Sequence, residues 1–147
     1  MRRLAERVER ADDPLARQIV AEAHVDQLVA RHLVGRVSKG IAAGAMPPAA
    51  GAIMKLLGAV TGVRRADMLL ELAGPEVVDW AADDADGSSM AETFLMRQGF
   101  CLGGGSNEIQ RNIISERVLG MPREWAGDRE IPYRDVQRNT MPTAPGS

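Results

Sequence analysis

The sequence predicts an all-α fold, an up-down four-helix bundle, on three observations. Apolar residues make up 45 % of the chain but aromatic ones only 3 %, so the core is aliphatic, and the aromatic residues that strands favour are scarce here. Leu, Val, Ile and Ala recur at steps of three and four in four successive stretches, the period of a one-faced helix. Each stretch is bounded by capping residues, Gly or Pro.

The elements follow in chain order. The first turns, to about Ala11, fit either the end of a longer helix or a frayed one. Asp13 then supplies an N-cap and Pro14 the first helical position. Leu15, Ile19, Ala23, Leu28, Val29, Leu33, Val34 and Val37 carry a helix that Lys39 and Gly40 should stop. Its length is roughly 26 residues, about 39 Å at 1.5 Å per residue. After the loop GIAAGAMPP, Pro48 opens a second helix of similar length through Ile53, Leu56, Val60, Val63, Leu69 and Leu70, ending at Gly74-Pro75. Two helices of matched length joined by a short link suit an antiparallel pair. Gly58 and Gly62 weaken this helix but permit close approach of a neighbour. Residues 79 to 89 read as an acidic surface loop, with Ser88 or Ser89 capping a third helix through Met90, Phe94 and Leu95 to the glycines at 103–105. Ser106 or Asn107 caps a fourth, with Ile109, Ile113, Ile114, Val118 and Leu119 on its apolar side and Gly120 as its stop. The bundle domain is placed at 1–126, and the polar, Pro- and Gly-bearing stretch 127–147 reads as a mobile tail.

Charge and cysteine content exclude several classes. With a net charge of -2, no field of either sign supports a nucleic-acid or anionic-membrane partner. A lone Cys101 cannot close an internal disulfide, which suits a reducing, cytoplasmic setting. The N-terminal arginines precede alternating charges rather than an apolar targeting core. No run of about 20 apolar residues predicts a membrane span.

The most informative stretch is LGGGSNEIQRNIISERVLGMPRE, Leu102 to Glu124. It is a glycine-rich turn feeding a capped helix start. Exposed amides and the positive end of the helix dipole favour an anion there, and glycines let a phosphate approach the backbone. A plain helix–helix turn fits these residues equally, being the commoner use of such a cluster.

Gly104, Gly105, Ser106, Glu108, Ile109, Gln110, Arg111, Asn112, Ile113, Ile114, Glu116, Arg117, Val118, Leu119, Gly120, Pro122 and Arg123 resemble the C-terminal signature of acyl-CoA dehydrogenases, a GGT/S-x-EIQRNII-x-ERVLGLPR pattern. DDPLARQIVAEAHV and AGAIMKLLGAVTGVRRADMLLELAGPE resemble that family's bundle helices more loosely, so the likeness runs over about residues 7 to 124. It implies an FAD-dependent oxidoreductase that oxidises an acyl-CoA thioester to its 2,3-enoyl form. The flavin takes a hydride from the β-carbon while a glutamate removes the α-proton, and the C-terminal bundle makes subunit contacts and touches the flavin's pyrophosphate and ribose. By resemblance Ser106 and Glu108 fall at flavin-contacting positions, with Gly104, Gly105 and Asn107 shaping their loop. An oligomer, homo- or hetero-, is implied.

The sequence departs from the family in three places. Gly104 stands where many members carry the catalytic glutamate, so no residue here is assigned as the base. An earlier helix with an R-x-x-F-G flavin loop, and the N-terminal helical and β-barrel domains, are expected outside these 147 residues. The Q-x-x-G-G-x-G loop is only echoed by Glu71 to Pro75. Two functional readings follow: a part of a dehydrogenase that is inactive by itself, or a non-catalytic helical partner subunit of a full-length one.

Other residues carry less. Glu108 and Glu116, eight apart on one helix, read as a cap charge and a solvated side chain rather than an acid/base pair. His24 and His32 lie roughly 12 Å apart along a helix and cannot share a metal. Asp83, Asp84 and Asp86 before Gly87 hint at a calcium loop, but Ala82 and Thr93 fail at its first and last ligand positions, so no metal site is assigned. Cys101 reads as a small buried residue. Arg31, Arg36, Arg64 and Arg65 read as solvated faces.

Overall fold

The structure, a computed structural model, describes residues 1–74, 85–123, 125, 127–128 and 130–136, with the backbone alone at 85–89. Among them there is no strand. Helix α1 (Arg2–Arg7) precedes the two long helices α2 (Pro14–Ala42) and α3 (Gly51–Ala73), the latter entered through a 3-10 turn at Pro48–Ala50. Then come α4 (Ala85–Met96), the single turn α5 (Gly99–Leu102), α6 (Asn107–Ile113) and a π turn (Ile114–Val118) that continues α6. The described residues thus show the all-α class the periodicity predicts. None of their helices is long and apolar enough to cross a membrane.

Helix α2 begins as its sequence dictates. The Asp13 carboxylate accepts from the Leu15 amide at 2.9 Å, and Pro14 occupies the first position, where its missing N–H costs nothing. Arg10 then ties this start to the far end of α3. Its guanidinium donates to Asp13 Oδ2 at 2.6 Å and to the carbonyls of Glu71 and Leu72 at 3.0 Å. Arg64 reaches back from α3 to Glu22 at 2.8 Å and to Asp26. Early residues of one helix therefore face late residues of the other, and the pair is antiparallel.

Helix α3 is the axle. It touches α1, α2, α4, α5 and α6, and its small residues Ala52, Ala59, Ala66 and Ala73 are buried. The core gathers where α1, α2 and α3 meet, around Leu4, Ala5, Ala16, Ile19, Met68 and Leu72. Arg97 fastens the end of α4 to α3, bonding Asp67 at 3.3 Å while its guanidinium lies 3.6 Å from the centre of the Phe94 ring.

Several boundaries differ from expectation. Residues before Ala11 are not frayed, because Leu4 and Ala5 are buried in the core. Gly40 does not stop α2. It stays helical beneath Met46, whose Cγ lies 2.9 Å from where a Cβ on Gly40 would sit, and the left-handed turn falls at Gly44, φ 70. Helix α4 is described from Ala85, so Ser88 and Ser89 lie inside it rather than capping it. The third helix also breaks after Met96, where Arg97 folds back on the Phe94 carbonyl at 2.7 Å. Residues 75–84, which hold Asp83 and Asp84 of the loop expected at 79–89, and residues 137–147 of the expected tail lie outside the described residues.

Candidate functional site

The glycine bend sits between α5 and α6, against the flank of α3. Gly103 has an ordinary backbone, while Gly104 and Gly105 take φ of +73 and +101, conformations open to glycine at no steric cost. The bend delivers the chain to Ser106, an N-cap whose Oγ accepts from the Ile109 amide at 3.3 Å.

The backbone hydrogen bonds of the bend divide it. Gly103 N–H donates to Gly99 O at 2.9 Å and Gly105 N–H to Leu102 O at 3.2 Å. The amides of Gly104, Ser106 and Asn107 donate to no carbonyl among the described residues. Three N–H groups thus remain at the start of a helix, where the dipole adds positive potential. Lys55, from α3, adds a cation. Its Nζ donates to Phe100 O at 2.6 Å, and its Cε lies 3.5 Å from the position a Cβ on Gly104 would take. Beside Lys55 a cleft of about 340 Å³ opens between α3 and α5, lined by Met54, Ala59, Gly99, Phe100 and Gly103.

Two acidic or polar side chains complete the loop. Glu108 is exposed, yet its carboxyl is held below the usual glutamate range, first by its own backbone N–H, then by the Ser106 hydroxyl and the nearby Arg111. The Ser106 hydroxyl therefore already has a partner on each side: it accepts from Ile109 and donates to Glu108. A carboxylate here repels a phosphate but accepts readily from a sugar hydroxyl. Asn107 is half-buried, and its Oδ1 is buried with no donor in reach, an acceptor left unfilled. Free amides, a cation and an exposed accepting carboxylate form a donor and acceptor set of the kind that takes a phosphate beside a sugar hydroxyl.

All five residues singled out in the sequence, Gly104, Gly105, Ser106, Asn107 and Glu108, lie in this one bend. Gly104 offers no side chain for proton transfer, and the bend holds no carboxylate in the glutamate's place. Sequence reasoning missed Lys55 and Gln110 as parts of the site. Gln110, 5 % exposed, donates from Nε2 to Gly104 O at 3.1 Å. The remaining candidates scatter. His24 and His32 are exposed, Cys101 is half-buried rather than buried, and Glu116 pairs with Arg123 at 3.5 Å. Arg64 is ion-paired rather than simply solvated. No group of His, Cys, Asp or Glu among the described residues is arranged to hold a metal.

Residues 1–119 match the family model described as acyl-CoA dehydrogenase, C-terminal domain. The acyl-CoA dehydrogenase IpdE1 of Mycobacterium tuberculosis is 33 % identical over 124 residues, which cover 84 % of this chain and 31 % of that protein. The IpdE1 of Mycolicibacterium smegmatis is 31 % identical over 124 residues, covering 84 % of this chain and 30 % of that protein. The chain therefore spans about three tenths of the length of these curated relatives. No solved structure matches.

Proposed function

The chain belongs to the acyl-CoA dehydrogenase family, as its C-terminal helical domain, and on that premise we propose that it contributes flavin-nucleotide contacts and a subunit interface to an FAD-dependent α,β-dehydrogenation of an acyl-CoA thioester. The observation that carries the reading is the bend itself: three unbonded amides, Lys55 and a capped helix start, inside the stretch that matches the family.

The residues divide the work by chemistry. The amides of Gly104, Ser106 and Asn107 are donors suited to diphosphate oxygens, and they cost no reorganisation because the backbone already holds them. The exposed Glu108 carboxylate is an acceptor suited to a ribose hydroxyl. Bound FAD would supply the hydride acceptor. This chain's part is to bind and orient its nucleotide half. Gly104 carries no carboxylate, so the α-proton must be taken by a base from another part of the enzyme, and the chain by itself is inactive. The acyl-CoA binds in the completed assembly.

The second reading, a helical partner subunit of a full-length dehydrogenase, draws on exposed apolar side chains. Leu95, Leu102 and Leu119 are 63 %, 68 % and 66 % exposed, apolar side chains that a partner chain would cover. Both readings share the bend.

Titration of added FAD with the purified chain, followed by flavin fluorescence anisotropy, tests the first. The chain as purified should be colourless. Added FAD should bind saturably and weakly, and Ser106→Ala should weaken it about fivefold, because loss of the helix cap costs about 1 kcal/mol and loosens the bend that aims the amides. Binding untouched by Ser106→Ala and by Gly105→Val would place the nucleotide elsewhere. An enoyl-forming activity from this chain alone would contradict the missing base.

A further inference from the structure

We propose that Gln110 is the positioning residue of the glycine bend, its side-chain amide fixing the Gly104–Gly105 peptide and thereby aiming the neighbouring amides at the nucleotide. The proposal rests on the flavin assignment above and names the residue on which that site's shape depends.

Gln110 is the buried polar side chain of the described core, 5 % exposed. A buried primary amide is costly unless bonded. Its Nε2 donates to Gly104 O at 3.1 Å, and the other end of the same peptide, Gly105 N–H, donates to Leu102 O at 3.2 Å. One peptide unit is thus held at both ends. The adjoining units carry the unbonded N–H groups of Gly104 and Ser106. With φ at +73 and +101, their direction follows from the orientation of the clamped unit between them. Gln110 is itself anchored, because its backbone N–H donates to Ser106 O at 2.9 Å in the first turn of α6. The helix start and the bend are therefore tied by one residue through two bonds.

The space around Gly105 shows how close the clamp is. A Cβ on Gly105 would lie 2.5 Å from Gln110 Nε2, so a side chain at 105 would push the Gln110 amide off Gly104 O. Lys55 holds the other side of the bend through Phe100 O, but it is a long, only half-buried side chain whose ordering offsets much of its bond. Gln110 is preordered by burial.

A role confined to filling the core is separable from positioning, because methionine has nearly the same length and volume but no donor. In a chain labelled with 15N-glycine, Gln110→Met should keep its helical circular dichroism. The Gly105 amide should exchange about tenfold faster, as expected for local opening with one hydrogen bond fewer. The shift of the Gly104 amide on addition of FAD, present in the wild type, should disappear. Gly105 exchange within twofold of wild type, with the FAD shift retained, overturns the proposal and leaves the flavin assignment standing. Faster Gly105 exchange without any FAD shift in the wild type removes the flavin assignment and the positioning role with it. Should Gln110→Met fail to fold, a scalar coupling across the hydrogen bond from Gln110 Nε2 to Gly104 C′ in the wild-type chain decides the matter: its detection supports the clamp and its absence refutes it.

Discussion

Gly105 and Gly103 are two residues apart and identical in chemistry, yet they should respond differently to an added methyl group. Gly105 combines a φ of +101 with a neighbour 2.5 Å from the missing Cβ. Gly105→Ala should cost about 1–3 kcal/mol in urea unfolding, the usual cost of a residue held in a sparsely populated backbone region. Gly103, at φ -60, meets only Gly99 O at 3.4 Å, so Gly103→Ala should change stability by less than about 1 kcal/mol. Equal losses from the two would mean that the bend is not shaped as described. The sequence makes the glycine cluster and the Ser106 cap legible, because both are local signals. It does not show which of the glycines take positive φ, since that depends on how the bend is held against Gln110, a residue that reads as one more member of an amphipathic helix. The commitment of the Ser106 hydroxyl to Glu108 is hidden for the same reason: it is a matter of side-chain direction, not of spacing.

At the scale of an element, α2 shows what periodicity can and cannot say. Its helical spacing is plain, but Leu15, Val25 and Val29 are more than half exposed while Ala16, Ile19 and Val37 are buried. Spacing gives the helix, and only packing against α1 and α3 selects the face. Leu72→Ala, at a side chain with no exposure, should therefore cost about 2–5 kcal/mol, and Val29→Ala within about 0.5 kcal/mol of nothing, both read from denaturant midpoints. The helix starts carry a pH signature. Asp13, held low chiefly by Arg10 and then by the Leu15 amide, and Glu108, held low by its own amide and Ser106, are both depressed in the folded chain. Their contribution is present above the ordinary carboxylate range and is lost as pH falls through their folded values. Melting temperature should fall below about pH 5, and Asp13→Asn and Glu108→Gln should each flatten that fall. Both groups are exposed, so the effect is small and shrinks with salt. A fall with the same slope in both variants would contradict the assignment.

The molecule as a whole is a bundle whose largest fully buried side chains are Leu72 and Val37, with much of its apolar material left outside. Trp125 is 88 % exposed and Met96 59 %. Alanines line the buried face of α3, while Gly58 is exposed and meets nothing within 4 Å, so much of the contact is made without the larger side chains. The aliphatic composition makes the all-α class legible, but the surplus of surface apolar residues is visible only once the helices are docked. Such a surface should associate. Light scattering should give a mass above the 15.8 kDa of one chain, rising with concentration, and a strictly monomeric chain at tens of micromolar would contradict the interface role.

The claim on which the account turns is that the bend at 103–108 meets the nucleotide half of a flavin. Photolabelling with an azido-adenine analogue of FAD, followed by peptide mapping, tests it directly. A label is expected on the peptide carrying Gly103 to Arg111 or on α3 beside Lys55, suppressed by excess FAD. A label concentrated in the cleft between α1 and α2 at Arg2, Arg17 and His24, or one that FAD does not suppress, would contradict it.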